Sequence, residues 1–176
     1  LGEYYMQEGT SSAGTGAMFS GMPSYQIGVY GNVNILNYVE APLKALGRDN
    51  AVMVFSAMLM AYILFCIMGF NPVVSVLGAI AYSFSSYNII LLDAGHVTKA
   101  WALAYMPLIV AGIMALFKRK IFLAGLLVAL GLALQIKSNH LQMTYYTGIV
   151  CAILYIGFAI DTIRKKEIKT LLNWPG

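Results

Sequence analysis

Asp93, His96 and Lys99 stand within the run LLDAGHVTKAW (91–101), in a chain otherwise poor in charge. No Asp, Glu, Lys or Arg occurs from Ala51 to Leu92 or from Ala100 to Phe117. A carboxylate can act as a general base or hold a divalent ion. An imidazole can shuttle protons or hydrogen-bond a phosphate. An ammonium neutralises a phosphate as a compact point charge. A spacing of three puts the side chains on one face if the turn is helical. Lys137, Asn139, His140 and Gln142 form a second polar patch, KSNHLQ (137–142), which holds the other of the two histidines. A His/His/Asp group could bind a divalent ion, although its spacing matches no metal motif. The plainer reading is a polar loop in which Lys99 reaches to lipid headgroups and His140 bonds a neighbouring helix.

The elements that position these residues follow from composition. The chain is 60% hydrophobic and 10% charged, where a soluble domain carries about 25% charged residues. Apolar runs of about 20 residues span a bilayer, so the pattern predicts an all-α, polytopic membrane bundle. Five spans are expected, at 51–69, 73–92, 100–117, 121–136 and 141–160. Gly78, Ala79, Ala81, Ser83, Ser85 and Ser86 mark the second as a close-packing helix. Pro107 predicts a kink in the third. Residues 1–32, rich in Gly, Ser and Tyr, read as a loop outside the hydrocarbon. Residues 33–48 place Ile35, Leu36, Val39, Leu43 and Leu46 on one helical face, as an interfacial helix or a soluble one packed on the loop. Residues 1–50 thus form one region, 51–160 the bundle and 161–176 a basic segment.

The net charge of +4 points to lipid headgroups, with no nucleic acid implied, because the basic residues adjoin apolar spans. Lys118, Arg119, Lys120, Arg164, Lys165, Lys166 and Lys169 make seven of the eleven basic residues. If they face the cytoplasm, residues 1–50, 93–99 and 137–140 all face outward. Both polar patches then lie at one membrane surface.

Glu3, Glu8, Glu40 and Asp49 read as solvated acids of that surface. Tyr4, Tyr5, Tyr25, Tyr30 and Tyr38 suit a sugar-binding surface or aromatic anchoring at the interface. Cys66 and Cys151 lie in apolar runs and read as buried thiols without a redox role. No phosphate-binding Walker loop, dinucleotide glycine fingerprint or Gly-x-Ser-x-Gly turn occurs. Starting at Leu1 and ending just after a basic run, the chain reads as a piece of a longer membrane protein.

FSGMPSYQI (19–27), GFNP (69–72), GAIAYSFSSY (78–87), AGHVTKAWALAYMPLI (94–109) and SNHLQMTYY (138–146) occur in this order. The chain resembles the YfhO-type bacterial membrane proteins in these segments, over nearly all of residues 18–172. The resemblance implies a place among the GT-C glycosyltransferases of the bacterial cytoplasmic membrane. These take a sugar from a polyprenyl-phosphate carrier and pass it to a cell-envelope acceptor on the outer face. It also implies an acidic residue in the first outer loop near the acceptor, and residues 1–50 correspond to the later part of that loop. The main acid would then stand upstream of Leu1, with Asp93 a weak candidate in this stretch. His96, Lys99, Lys137 and His140 are the expected phosphate-binding residues, and a divalent ion is the one conceivable cofactor. Two other readings stand beside the enzyme: a transporter or flippase of lipid-linked sugars, and a non-catalytic scaffold of envelope assembly.

Overall fold

In the computed structural model, residues 14–15, 22–23, 35–45, 47 and 49–164 are described. The chain divides into two units, Leu1–Asn37 and Tyr38–Gly176. In the first, strands β1 (Gly14–Thr15) and β2 (Met22–Pro23) pair antiparallel, with Gly14 opposite Pro23. The expected residues Glu3, Glu8, Tyr4, Tyr5, Tyr25 and Tyr30 lie outside the described residues, as do the basic residues 165–169.

The second unit is helical. It takes in α1 (Leu36–Lys44) from Tyr38 onward, then α2 (Asp49–Met68), α3 (Pro72–Ser83), α4 (Ser86–Asp93), α5 (Val97–Phe117), α6 (Ile121–Lys137) and α7 (Leu141–Arg164). Three stretches are long and apolar enough to cross a bilayer: Asn50–Met68, Val97–Phe117 and Leu141–Arg164. The bent pair α3–α4 makes a fourth if it is one span. Helix α6, at 17 residues, sits at the lower limit of spanning length. The chain is thus an apolar, multi-helix protein of membrane character.

Helix α5 is the hub. Helices α2 and α6 pack along its length, and α7 and α4 lie against it more lightly. Met60, Leu108, Ala111 and Leu127 form the buried centre. The α5–α6 approach is set by glycine. A Cβ on Gly112 would stand 2.9 Å from the Val128 backbone nitrogen and 3.0 Å from the Ala124 oxygen, and one on Gly131 would stand 3.2 Å from the Ile109 nitrogen. Without hydrophobic drive between helices in lipid, such backbone proximity supplies the dispersion contact that holds them. On α3 the small residues Ser75, Ala79 and Ser83 make the buried stripe, and Gly78 receives the Phe65 ring of α2.

The single helix expected over 73–92 is two helices bent by 41°. The polar tract SFSSYN explains the break, because Ser and Asn side chains offer the backbone alternative hydrogen bonds. Ser83 Oγ donates to the Ile80 oxygen (3.2 Å), and Asn88 Nδ2 donates to the oxygens of Tyr82 (2.9 Å) and Ser83 (3.4 Å). Behind it lies a cavity of ≈ 10 Å³ lined in part by Ser83, Asn88 and Ala100, room for about one water. Helix α5, by contrast, runs unbroken through Pro107. Proline has no N–H, so the Leu103 carbonyl four residues earlier loses its intrahelical donor. Tyr82 Oη of α3 donates to that oxygen at 2.9 Å. A tyrosine of a neighbouring helix is therefore the partner of the carbonyl that Pro107 leaves without a donor.

Cys66 is exposed and Cys151 half-buried, both as free thiols, which corrects the expectation of burial. In a membrane helix apolar residues face lipid as readily as protein, so an apolar run does not mark the inner face. Helix α7 shows this most: 11% of its apolar window is buried.

Candidate functional site

Both polar patches begin as helix stops. Gly95 has φ 71°, the left-handed conformation that ends a helix. Its N–H donates to the Leu92 oxygen (3.2 Å), and the His96 N–H donates to the Leu91 oxygen (3.0 Å). This pair closes the last carbonyls of α4 in a Schellman motif. The second patch repeats the device with Asn139, at φ 56°, whose N–H donates to the Ile136 oxygen (2.9 Å). Asn tolerates this conformation better than other non-glycine residues. Asp93, His96 and Lys99 therefore do not share one helical face, because the chain reverses at Gly95 between them.

Asp93 and His96 are exposed. His96 is the N-cap residue of α5 and makes no side-chain cap bond. Lys99 is half-buried, with Nζ 5.3 Å from the centre of the Tyr87 ring on α4. That is a cation–π distance, and it holds the ammonium at the rim where α4 and α5 meet. Among the described residues no group of three or more His, Cys, Asp or Glu is gathered. Asp93, His96 and His140 thus do not offer a divalent ion the ligand set that a protein site needs, and no chemistry is routed through one.

The best-organised charges lie elsewhere. Lys137, the last residue of α6, donates from Nζ to Glu40 Oε2 at 2.7 Å. Tyr105 of α5 donates from its hydroxyl to Glu40 Oε1 at 3.0 Å. Both carboxylate oxygens are thereby satisfied, which a buried charge requires. The Glu40 residue is 6% exposed, so the expectation of a solvated acid is corrected. The Tyr105 ring stacks on Trp101, centroids 5.5 Å apart, which fixes the hydroxyl. The sequence held a signal for Glu40: it lies four residues after Leu36 and three before Leu43. The least exposed face of α1 runs through Leu36, Glu40 and Leu43, while Ile35 (79%) and Val39 (42%), expected on one face with the two leucines, are exposed together with Tyr38 (81%).

A neutral polar layer lies beside this pair. Gln135, fully buried, donates from Nε2 to the Ala102 oxygen (3.0 Å) and to Thr147 Oγ1 (2.9 Å), tying α6 to α5 and α7. Thr147 donates on to the Met143 oxygen (2.8 Å). Gln135 Oε1, His140 Nδ1 and Thr144 Oγ1 are buried without a partner among the described residues. His140, Thr144 and Thr147 follow at helical spacing, so one face of α7 carries polar atoms inward. Gln135, a lone polar side chain ending an apolar run, was the available sign of this layer. At the opposite end of α5, Lys118 Nζ donates to the Met68 oxygen (3.0 Å), the end carbonyl of α2. The basic turn 118–120 and the Glu40–Lys137 pair therefore mark opposite ends of the bundle.

No family model, no curated protein and no solved structure matches the chain.

Proposed function

We propose that the chain is part of a five-span membrane glycosyltransferase of the GT-C kind. In this reading a sugar moves from a polyprenyl-phosphate carrier to an envelope acceptor at the outer face of the bacterial cytoplasmic membrane. The observation that carries the reading is Glu40. It is an acid from the segment before the first span, seated at the same bundle end as Lys137, Tyr105 and Trp101. An inverting transfer needs a base for the acceptor hydroxyl and cations for the leaving phosphate. Glu40 supplies the first chemistry among the described residues. Lys99 and His96 at the rim, with Lys137 of the pair and His140 three residues after it, supply the second. Helix α1, with Tyr38 and Val39 turned away from the bundle, suits an interfacial position. The basic turn 118–120 at the other end suits the cytoplasmic side.

The test is sugar transfer by the full-length protein in membranes carrying Glu40→Gln, His96→Ala or Lys99→Ala. Each variant is expected to lower transfer at least about a hundredfold, the usual loss for one acid–base or charge-stabilising group. Unchanged transfer in all three, at normal expression, overturns the reading. One observation favours passage of a lipid-linked sugar as a second reading: the 41° break between α3 and α4. Discontinuous spans form the binding sites of many transporters. Movement of a fluorescent lipid-linked sugar across proteoliposomes, without transfer, would select it.

A further inference from the structure

The geometry points to Lys137 and Tyr105 as an anion cradle that Glu40 fills as a built-in stand-in, so that a phosphate entering it releases α1. This rests on the reading that this end of the bundle binds a phosphate-linked donor, and adds how the site is guarded.

Two donors converge on the two oxygens of one carboxylate, Lys137 Nζ at 2.7 Å and the Tyr105 hydroxyl at 3.0 Å. A phosphate presents the same kind of two-oxygen edge with more charge, and charge-assisted bonds to it are stronger. The cradle belongs to the rigid part of the molecule: Tyr105 is 1% exposed and Lys137 ends α6, which packs along α5. The occupant belongs to the loose part. Helix α1 has nine residues with Pro42 inside, far shorter than a helix stable alone, and among the described residues no helix of the bundle packs along it. Among the described residues, the bonds of Glu40 to Lys137 and Tyr105 tie α1 to the bundle. His140 Nδ1, three residues beyond Lys137, is buried without a partner among the described residues, a polar atom that a larger anion could use.

The exchange is favourable in kind. Removing one member of a buried pair is costly because a lone charge is left. Here the incoming phosphate keeps the ammonium paired, while Glu40, released from it, stands at the open side of the cradle as a free carboxylate able to take the acceptor proton. Lys137 keeps 14% of its side chain exposed, so the cradle has an opening.

The test uses the full-length protein in nanodiscs and follows amide hydrogen exchange of residues 36–44. In discs of phosphatidylcholine alone these amides are expected to exchange slowly. Saturating inorganic phosphate should speed them about tenfold if the ligand is a free phosphate. Discs containing phosphatidylglycerol should do so without added phosphate if it is a lipid headgroup. Glu40→Gln should exchange fast in every condition and bind the effective anion about tenfold more tightly. Lys137→Gln should lose that binding. Slow exchange at saturating anion overturns the latch while the phosphate-binding reading stands. No anion effect and no anion binding, in the wild type and in Glu40→Gln, overturn both. The wild-type measurement decides the matter even if Glu40→Gln fails to fold.

Discussion

Replacing Tyr82 by Phe should cost more than a hydroxyl at a helix surface suggests, because of a proline in the helix it bonds. Pro107 deprives the Leu103 carbonyl of its donor, and the Tyr82 hydroxyl fills the gap at 2.9 Å. In Tyr82→Phe that oxygen faces an apolar interior alone. Leaving one buried acceptor unsatisfied costs about 1–3 kcal/mol, whereas side-chain bonds between membrane helices average about 0.6 and reach about 1.7 kcal/mol. The Leu103 oxygen has lost its helical donor, so the upper part of the second range applies, about 1.5 kcal/mol. The background Pro107→Ala restores an N–H at position 107 and with it the bond within α5. There the tyrosine hydroxyl is redundant, and its loss should cost no more than about 0.5 kcal/mol. A double-mutant cycle on unfolding in detergent micelles reads the difference as a coupling of about 1 kcal/mol. Equal losses in both backgrounds would refute the argument, since the tyrosine would then be acting through packing alone.

The glycines of the hub give a paired prediction. Gly112→Ala places a Cβ against backbone atoms of α6 at 2.9 and 3.0 Å, and should destabilise by about 1–3 kcal/mol as overpacking does. Gly125→Ala, with nothing within 4 Å of its Cβ, should be neutral or stabilise by up to about 1 kcal/mol through helix propensity; thermal unfolding of the two variants checks the sign. Asn88→Ala removes the donor to the Tyr82 and Ser83 oxygens and should loosen the break by about 1–2 kcal/mol, read as faster amide exchange in residues 80–90 with α5 unchanged. Gln135→Leu removes bonds to the Ala102 oxygen and Thr147 Oγ1. Both acceptors keep local partners of their own helices, so the cost should stay near about 1 kcal/mol in the same unfolding measurement.

The helical, apolar character of the chain is legible from charge-free runs alone, since about forty residues without Asp, Glu, Lys or Arg are foreign to a soluble domain. The small residues of 78–86 do pack closely, at Gly78, Ala79 and Ser83, but the same tract also breaks the helix, which composition alone does not announce. Ser and Ala favour close approach, but Ser followed by Asn also gives the backbone other partners, and only the fold decides between them. The patch at Asp93–Lys99 is legible as polar, but a shared face needs a helical turn, and Gly95 at φ 71° ends one helix before the next begins. Glu40 lay hidden for a different reason. Its partners Tyr105 and Lys137 are 65 and 97 residues away, and no local period reports a contact at that distance. Its helical spacing from Leu36 and Leu43 is the one local trace.

Gly95 and His96 now separate structure from chemistry within three residues. If AGH is first a helix stop, Gly95→Ala should destabilise by about 1–2 kcal/mol, the cost of the left-handed region for a residue with a Cβ. The cost is conformational, since a Cβ there meets nothing within 4 Å. Gly95→Asn should recover much of the loss, as Asn139 does at the matching position with φ 56°. His96→Ala should leave stability within about 0.5 kcal/mol, as surface substitutions usually do. Its backbone N–H still closes α4 on Leu91, and its side chain makes no cap bond. If His96 also serves the phosphate, the same substitution must lower sugar transfer at unchanged stability. A loss of transfer that follows the loss of stability across Gly95→Ala, Gly95→Asn and His96→Ala would make the whole motif a turn and remove His96 from the chemistry.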